Sequence, residues 1–171
     1  MKMASRLMNQ AEIELARQVF QDQLPYSKIH FAGYYLPNNE GVPTTLASVS
    51  SLVPIRSLRS YTIYFGPTVF SDGADVPGTR NTLIHELTHV WQGHHSQFAW
   101  EYIINSLIAQ GHAILKEGNR NRAYDYEPGK PWGDYNVEQQ ASIVEDWFRN
   151  GMRPDDELFT YINDHIRAGR N

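Results

Sequence analysis

The chain has 171 residues, 41% hydrophobic and 20% charged, the values of an ordinary globular domain with a sizeable core. A formal charge of −4 and a pI near 5.9 argue against a dedicated nucleic-acid surface. The absence of cysteine excludes disulfides and thiolate metal sites, and no run reaches the ~18–20 apolar residues of a membrane span.

In chain order, Met1-Lys2-Met3-Ala4-Ser5-Arg6 lacks the apolar core of a signal peptide. Ile13, Ala16 and Phe20 share one face of a helix predicted from Gln10 to Gln23, which Pro25 stops. Lys28 to Tyr35 alternates as a strand, and Pro37-Asn38-Asn39 turns the chain. Glu40 to Ser60 is rich in Ser, Thr and Pro and reads as loop with one short strand near Leu46 to Leu52. Tyr61 to Phe65 is β-branched and aromatic, a strand ended by Gly66-Pro67; Ser71-Asp72-Gly73 turns again. A helix over Leu83 to Trp91 is opened by Thr79 or Asn81 and closed by Gly93. Gln97 to Leu115 follows as a helix, Lys116 to Arg122 as a solvated basic loop, and Tyr124 to Tyr135 as an aromatic loop. Asn136, with Gln139 three residues on, caps a helix from Val137 to Asn150, ended by Gly151 and Pro154. A last helix runs from Asp156 to Ala168. Strands first and helices after predict a single α+β domain over 1–171, a small N-terminal sheet beside a mainly helical C-terminal half.

His85-Glu86-Leu87-Thr88-His89 carries the chemistry. Four residues apart on a helix, His85 and His89 point the same way and can converge on one Zn²⁺ at about 2.0–2.1 Å. Glu86, about 100° around the helix, can act as general base on a water without being a ligand. Leu83, Ile84, Leu87, Val90 and Trp91 form the apolar face that holds this helix against a core.

A catalytic zinc takes a third protein ligand, and two residues compete for that place. His95 suits the pattern HExxHxxGxxH, but position 92 is Gln and the glycine stands at 93. Met152 is the candidate for the matching Met-turn, although it sits in a helix-ending Asn150-Gly151-Met152-Arg153-Pro154. Glu138 lies near the start of a separate helix, from which it can reach a metal on a neighbouring one; Ala141 allows the two helices to approach.

His85 to Gln92, together with Asp134-Tyr135-Asn136-Val137-Glu138-Gln139-Gln140-Ala141, resembles a bacterial family of small zincin metallopeptidase domains. Such domains stand at the C-terminal ends of VgrG spike proteins of type VI secretion systems and in Rhs- and Vgr-related proteins. The resemblance covers the second half of the chain in motif and the first half in layout. It implies a minimal zincin-like fold. It also implies Glu138, opening an ExxA pattern, as the third ligand beside His85 and His89. The fuller gluzincin pattern has an Asp four residues after the glutamate, where this chain has Ser142.

The expected activity is zinc-dependent hydrolysis of peptide bonds, with Glu86 accepting the water's proton and passing it to the leaving amine. Candidate oxyanion donors are Tyr124, Tyr126 and Tyr135, with packing as their alternative role. Glu145 and Asp146 read as surface carboxylates, or as partners for a histidine ligand's second nitrogen. His94 and His112 read as surface residues. Tyr61 to Phe65 reads either as a cleft edge that receives an extended peptide or as an internal strand. By resemblance the domain is the C-terminal part of a larger secreted spike, delivered without a signal peptide of its own to the target-cell periplasm. Its expected partners are a protein or peptide substrate and an immunity protein. The alternatives are a peptidoglycan amidase or endopeptidase, and an inactive zincin serving as a binding or adaptor module.

Overall fold

The computed structural model describes residues 5–36, 43–48, 59–67, 70, 78–96 and 124–171, with 46–48 as backbone. A strand absent from the sequence reading, β1 (Ser5–Leu7), opens it. Asn9 then caps α1 (Gln10–Phe20) reciprocally: its side chain accepts from the Glu12 N–H at 2.9 Å, while Glu12 accepts from the Asn9 N–H at 2.7 Å. Glu12 is fully buried, and the Arg6 guanidinium neutralises it through two bonds of 2.7 and 2.8 Å. Leu15, Ala16, Val19 and Phe20 bury the inner face of α1. The helix ends before Gln23, because Gln21 turns to φ +50° and its N–H closes onto the Arg17 carbonyl.

Among the described residues, β2 (Ile29–Ala32), β3 (Thr44–Ser48) and β4 (Ser60–Tyr64) join β1 in a four-stranded sheet of order β1-β2-β4-β3. β1 and β2 pair antiparallel, β2 and β4 parallel, and β3 folds antiparallel onto the outer side of β4. Alternation decides which side faces in: Tyr61 and Ile63 of β4 are buried with Ile29 and Phe31 of β2, and Thr62 and Tyr64 are partly open. β4 is thus an internal strand, and among the described residues β3 forms the edge. The short strand foreseen near Leu46 to Leu52 lies earlier, at Thr44–Ser48.

The helical half packs on this sheet. α2 (Thr79–His95) lies against β3 and α1 and most extensively against α3 (Val137–Arg149). Leu83, Ile84, Leu87, Val90 and Trp91 form its buried stripe, and Ala141, Ile143, Val144 and Trp147 are the buried apolar residues of α3. Both ends of α2 differ from the sequence reading. Gly78, left-handed at φ +82°, stands at the N-cap, so neither Thr79 nor Asn81 caps it. Gly93 is inside the helix, because buried Arg59 donates to the carbonyls of Gly93 at 2.7 Å and Ser96 at 3.2 Å and carries the end to His95.

The last segment is not one continuous helix. α4 (Phe159–Tyr161) widens into a π-helical turn (Ile162–Ile166). Ile162 and Ile166 are buried, and the Ile166 carbonyl accepts from the Trp91 indole at 3.0 Å, bracing the back of α2. The architecture is α+β, as the order of strands and helices predicts. The helix expected over Gln97 to Leu115, the Lys116 to Arg122 run, His112, and the turns at Pro37-Asn38-Asn39 and Ser71-Asp72-Gly73 lie outside the described residues. Among the described residues no helix is long and apolar enough to cross a membrane.

Candidate metal centre

One turn of α2 separates His85 from His89, and their rings stand 5.0 Å apart between centroids. Opposite them is the first turn of α3, which the Asn136–Gln139 capping box fixes through bonds of 2.9 and 3.0 Å. That cap sets the direction of Glu138. Its Oε2 lies 3.2 Å from His85 Nε2 and 3.4 Å from His89 Nε2. Ligand atoms of all three residues fall within 4.8 Å of one another, so the group can hold a metal ion.

The other ring nitrogens are engaged. His85 Nδ1 donates to Glu145 Oε2 at 3.0 Å, and the second oxygen of Glu145 is bound by Arg149. His89 Nδ1 donates to Gln92 Oε1 at 2.9 Å. With Nδ1 carrying the proton in each ring, two Nε2 lone pairs and a carboxylate oxygen face one another, an arrangement that calls for a shared cation or for protons. Tetrahedral geometry with bonds of about 2.0 Å spaces ligand atoms about 3.3 Å apart. The two separations from Glu138, 3.2 and 3.4 Å, match it, and two imidazoles with one carboxylate are donors that zinc accepts.

Electrostatics agree. Burial alone would push the His85 imidazole down; bonds to Glu138 and Glu145 and the Glu86 charge overcome it and lift the pKa to about 10. His89 is raised as well, burial again being outweighed by the Glu138 carboxylate. Burial opposes ionisation of Glu138, yet the charge of His89 and the bonds from both imidazoles hold its carboxyl well below the usual carboxylate range. Glu145 is lowered by His85 and Arg149 against its own burial. The pocket is built for positive charge.

Glu86, 6% exposed, is turned toward β3, where its Oε2 accepts from Thr45 Oγ1 at 2.6 Å. The same hydroxyl lies 3.2 Å from the Glu86 backbone carbonyl.

His85, His89 and Glu138 are therefore brought together, and His95 is not with them. Its Nε2 bonds the Gln23 carbonyl at 2.9 Å and its ring lies on Trp91, on another side of the helix. His94 is half-buried in the last turn of α2, its ring 6.4 Å from Tyr61, rather than exposed beyond the helix. Met152, at φ +57°, closes α3 through its N–H to the Trp147 carbonyl. Of the tyrosines, Tyr126 donates to Asp146 at 2.8 Å, and burial together with that bond raises its pKa. Tyr135 bonds the Glu127 carbonyl and Tyr161. Tyr124, 45% exposed and 6.1 Å from the His85 ring, lies at the site. Glu145 holds His85 where a surface role was the simpler expectation, and Asp146 faces Tyr126 and Arg149. Thr45 and Gln92 escaped the sequence reading. Thr45 sits in a stretch read as loop, whereas Gln92 had a signal, a polar residue one turn beyond His89 beside a buried stripe.

Fold and site define an α+β domain in which a histidine pair on one helix and a carboxylate from another can hold a single ion. No family model matches the chain. Over 147 residues, 85% of its length, it is 29% identical to the type VI secretion system spike protein VgrG2b of Pseudomonas aeruginosa, of which it spans 13%. The solved effector domain of P. aeruginosa VgrG2b aligns with a TM-score of 0.60 and 28% identity, covering 92% of this chain and 82% of that one. The chain is homologous to that effector domain.

Proposed function

We propose that the domain is a zinc-dependent metallopeptidase of zincin type, acting as a type VI secretion effector. The carrying observation is the convergence of His85 Nε2, His89 Nε2 and Glu138 Oε2 while both Nδ1 atoms are held from behind. A bound zinc would polarise the scissile carbonyl and bring the pKa of a water from 15.7 toward about 7. Glu86 accepts that water's proton and delivers it to the leaving amine; Thr45 grips one of its oxygens and leaves the other for this work. Near-complete burial of Glu86 keeps bulk water from competing for the proton. Tyr124, whose ring stands 6.1 Å from that of His85, is the tyrosine of the three placed to support the oxyanion.

The homology to an effector domain supports delivery by a type VI spike, of which this domain would be the C-terminal part, with the periplasm of the struck cell as its place of action and an immunity protein as its counterpart in the producer.

The test is Glu86→Gln. The purified variant should keep its zinc by elemental analysis and lose peptide hydrolysis by about 10²–10⁴-fold. Undiminished hydrolysis would remove the enzymatic reading. His85→Ala and Glu138→Ala should each lower the zinc content; zinc retained by Glu138→Ala and lost by His95→Ala would overturn the ligand assignment. Parallel assays on protein and on purified sacculi separate a peptidase from a peptidoglycan hydrolase.

A further inference from the structure

Position 92, where the HExxHxxGxxH pattern requires glycine, holds a glutamine that is 1% exposed. Its side chain makes three bonds, and their polarity is fixed from outside. Gln140 Nε2 donates to the Trp132 carbonyl at 3.0 Å, so Gln140 Oε1 must face Gln92. Gln92 Nε2 therefore donates, to Gln140 Oε1 and to the Val137 carbonyl, each at 2.9 Å. A main-chain carbonyl only accepts, so the Gln92 amide cannot flip without setting two acceptors against a third. Its Oε1 is left aimed at His89 Nδ1, 2.9 Å away, and can only accept. The histidine must then carry its proton on Nδ1 and present Nε2 to Glu138.

We infer that Gln92 is a positioning residue for the metal centre. Its amide, oriented by the start of α3, selects the ring nitrogen of His89 that stays free for the ion and ties that histidine to the segment bearing Glu138. Val137, whose carbonyl anchors Gln92, is the immediate neighbour of Glu138, so both ligands are referred to one turn of backbone. The two histidines are held by different means: Glu145, an ionised carboxylate, supports His85, and a neutral amide supports His89. His89 thus gains orientation with no further negative charge in a site that already contains Glu86, Glu138 and Glu145.

The inference rests on reading His85, His89 and Glu138 as metal ligands, and its test separates the two. Wild type, Gln92→Met and Gln140→Met are compared in the full chain by zinc competition with a chromophoric chelator, by thermal unfolding of the metal-free form, and by long-range ¹⁵N NMR of the histidine rings. Gln92→Met should weaken zinc binding by about 10–100-fold. Gln140→Met disturbs the same helix joint but leaves Gln92 bonded to Val137 and His89; it should lower the unfolding temperature and keep zinc affinity within about threefold of wild type. Equal loss of affinity in both variants would mean that Gln92 merely holds the helices together and would overturn the inference. The metal-free wild type, recorded on the alkaline side of imidazole titration, should show His89 as the Nδ1–H tautomer; an Nε2–H tautomer also overturns it. A wild type that binds no zinc removes the metal reading instead, and the tautomer alone then decides whether Gln92 orients His89.

Discussion

Replacing Thr45 with valine removes the hydroxyl that grips the Glu86 carboxylate while keeping the shape of the side chain. The carboxylate would be free to swing, and misplacement of a reacting group by about 1 Å can cost on the order of 100-fold in rate. Thr45→Val should therefore bind zinc normally and lose 10- to 100-fold in kcat with little change in KM, whereas Thr45→Ser should recover most of the activity. Steady-state kinetics on one peptide decides it. Glu145→Gln addresses the other histidine. It preserves an acceptor for His85 Nδ1 but removes the charge that makes this imidazole more basic, so zinc affinity should fall by about 10-fold, toward the lower end of what such outer partners contribute. A variant that binds zinc as tightly as wild type would show that Glu145 is a bystander.

At the scale of elements, the site is a joint between α2 and the first turn of α3, and the strength of that turn is set by Asn136. Asn136→Ala removes the acceptor for the Gln139 N–H and should cost about 1 kcal/mol in denaturant unfolding. Because Glu138 is in the same turn, zinc affinity should fall with it. The elements that the sequence revealed are those whose signals are local. The cap at Asn136, the apolar stripe of α2 and the β-branched run of β4 need only neighbours within a turn or a strand, and they lie within a few residues of their expected places. The histidine pair and Glu86 were legible for the same reason, as a spacing on one helix. What was hidden depends on distant partners. Gly93 looks like a helix end until Arg59, 34 positions away, supplies donors for the carbonyls beyond it. Tyr126 and Tyr135 look available until Asp146 and Tyr161 engage their hydroxyls. Thr45 became a neighbour of Glu86 only when β3 took the edge of the sheet, 41 positions from its partner.

For the whole molecule, the pocket's charges make stability depend on pH in opposite ways with and without an ion. In the metal-free protein, the His85 pKa is raised from 6.5 to about 10, so its contribution is complete below pH 6.5 and is lost as pH rises through 10. Glu138 and Glu145 are lowered from 4.5, so their contribution is present above that value and lost on further acidification. Thermal unfolding of the metal-free form should therefore be most resistant between about pH 4.5 and 6.5. The zinc-loaded form should instead gain on moving from pH 6 to 8, because protons compete with the ion for the same atoms, and binding at neutral pH should release protons that calorimetry in two buffers can count. His85 and Glu138 are 53 positions apart in a chain with no cysteine. An ion clasped between them would be a removable cross-link: closing a loop of that length restricts the unfolded chain by about 4 kcal/mol in the chain-entropy treatment. A chelator should therefore act on this protein much as a reductant acts on a disulfide-stapled one, loosening the whole molecule and not just silencing its site.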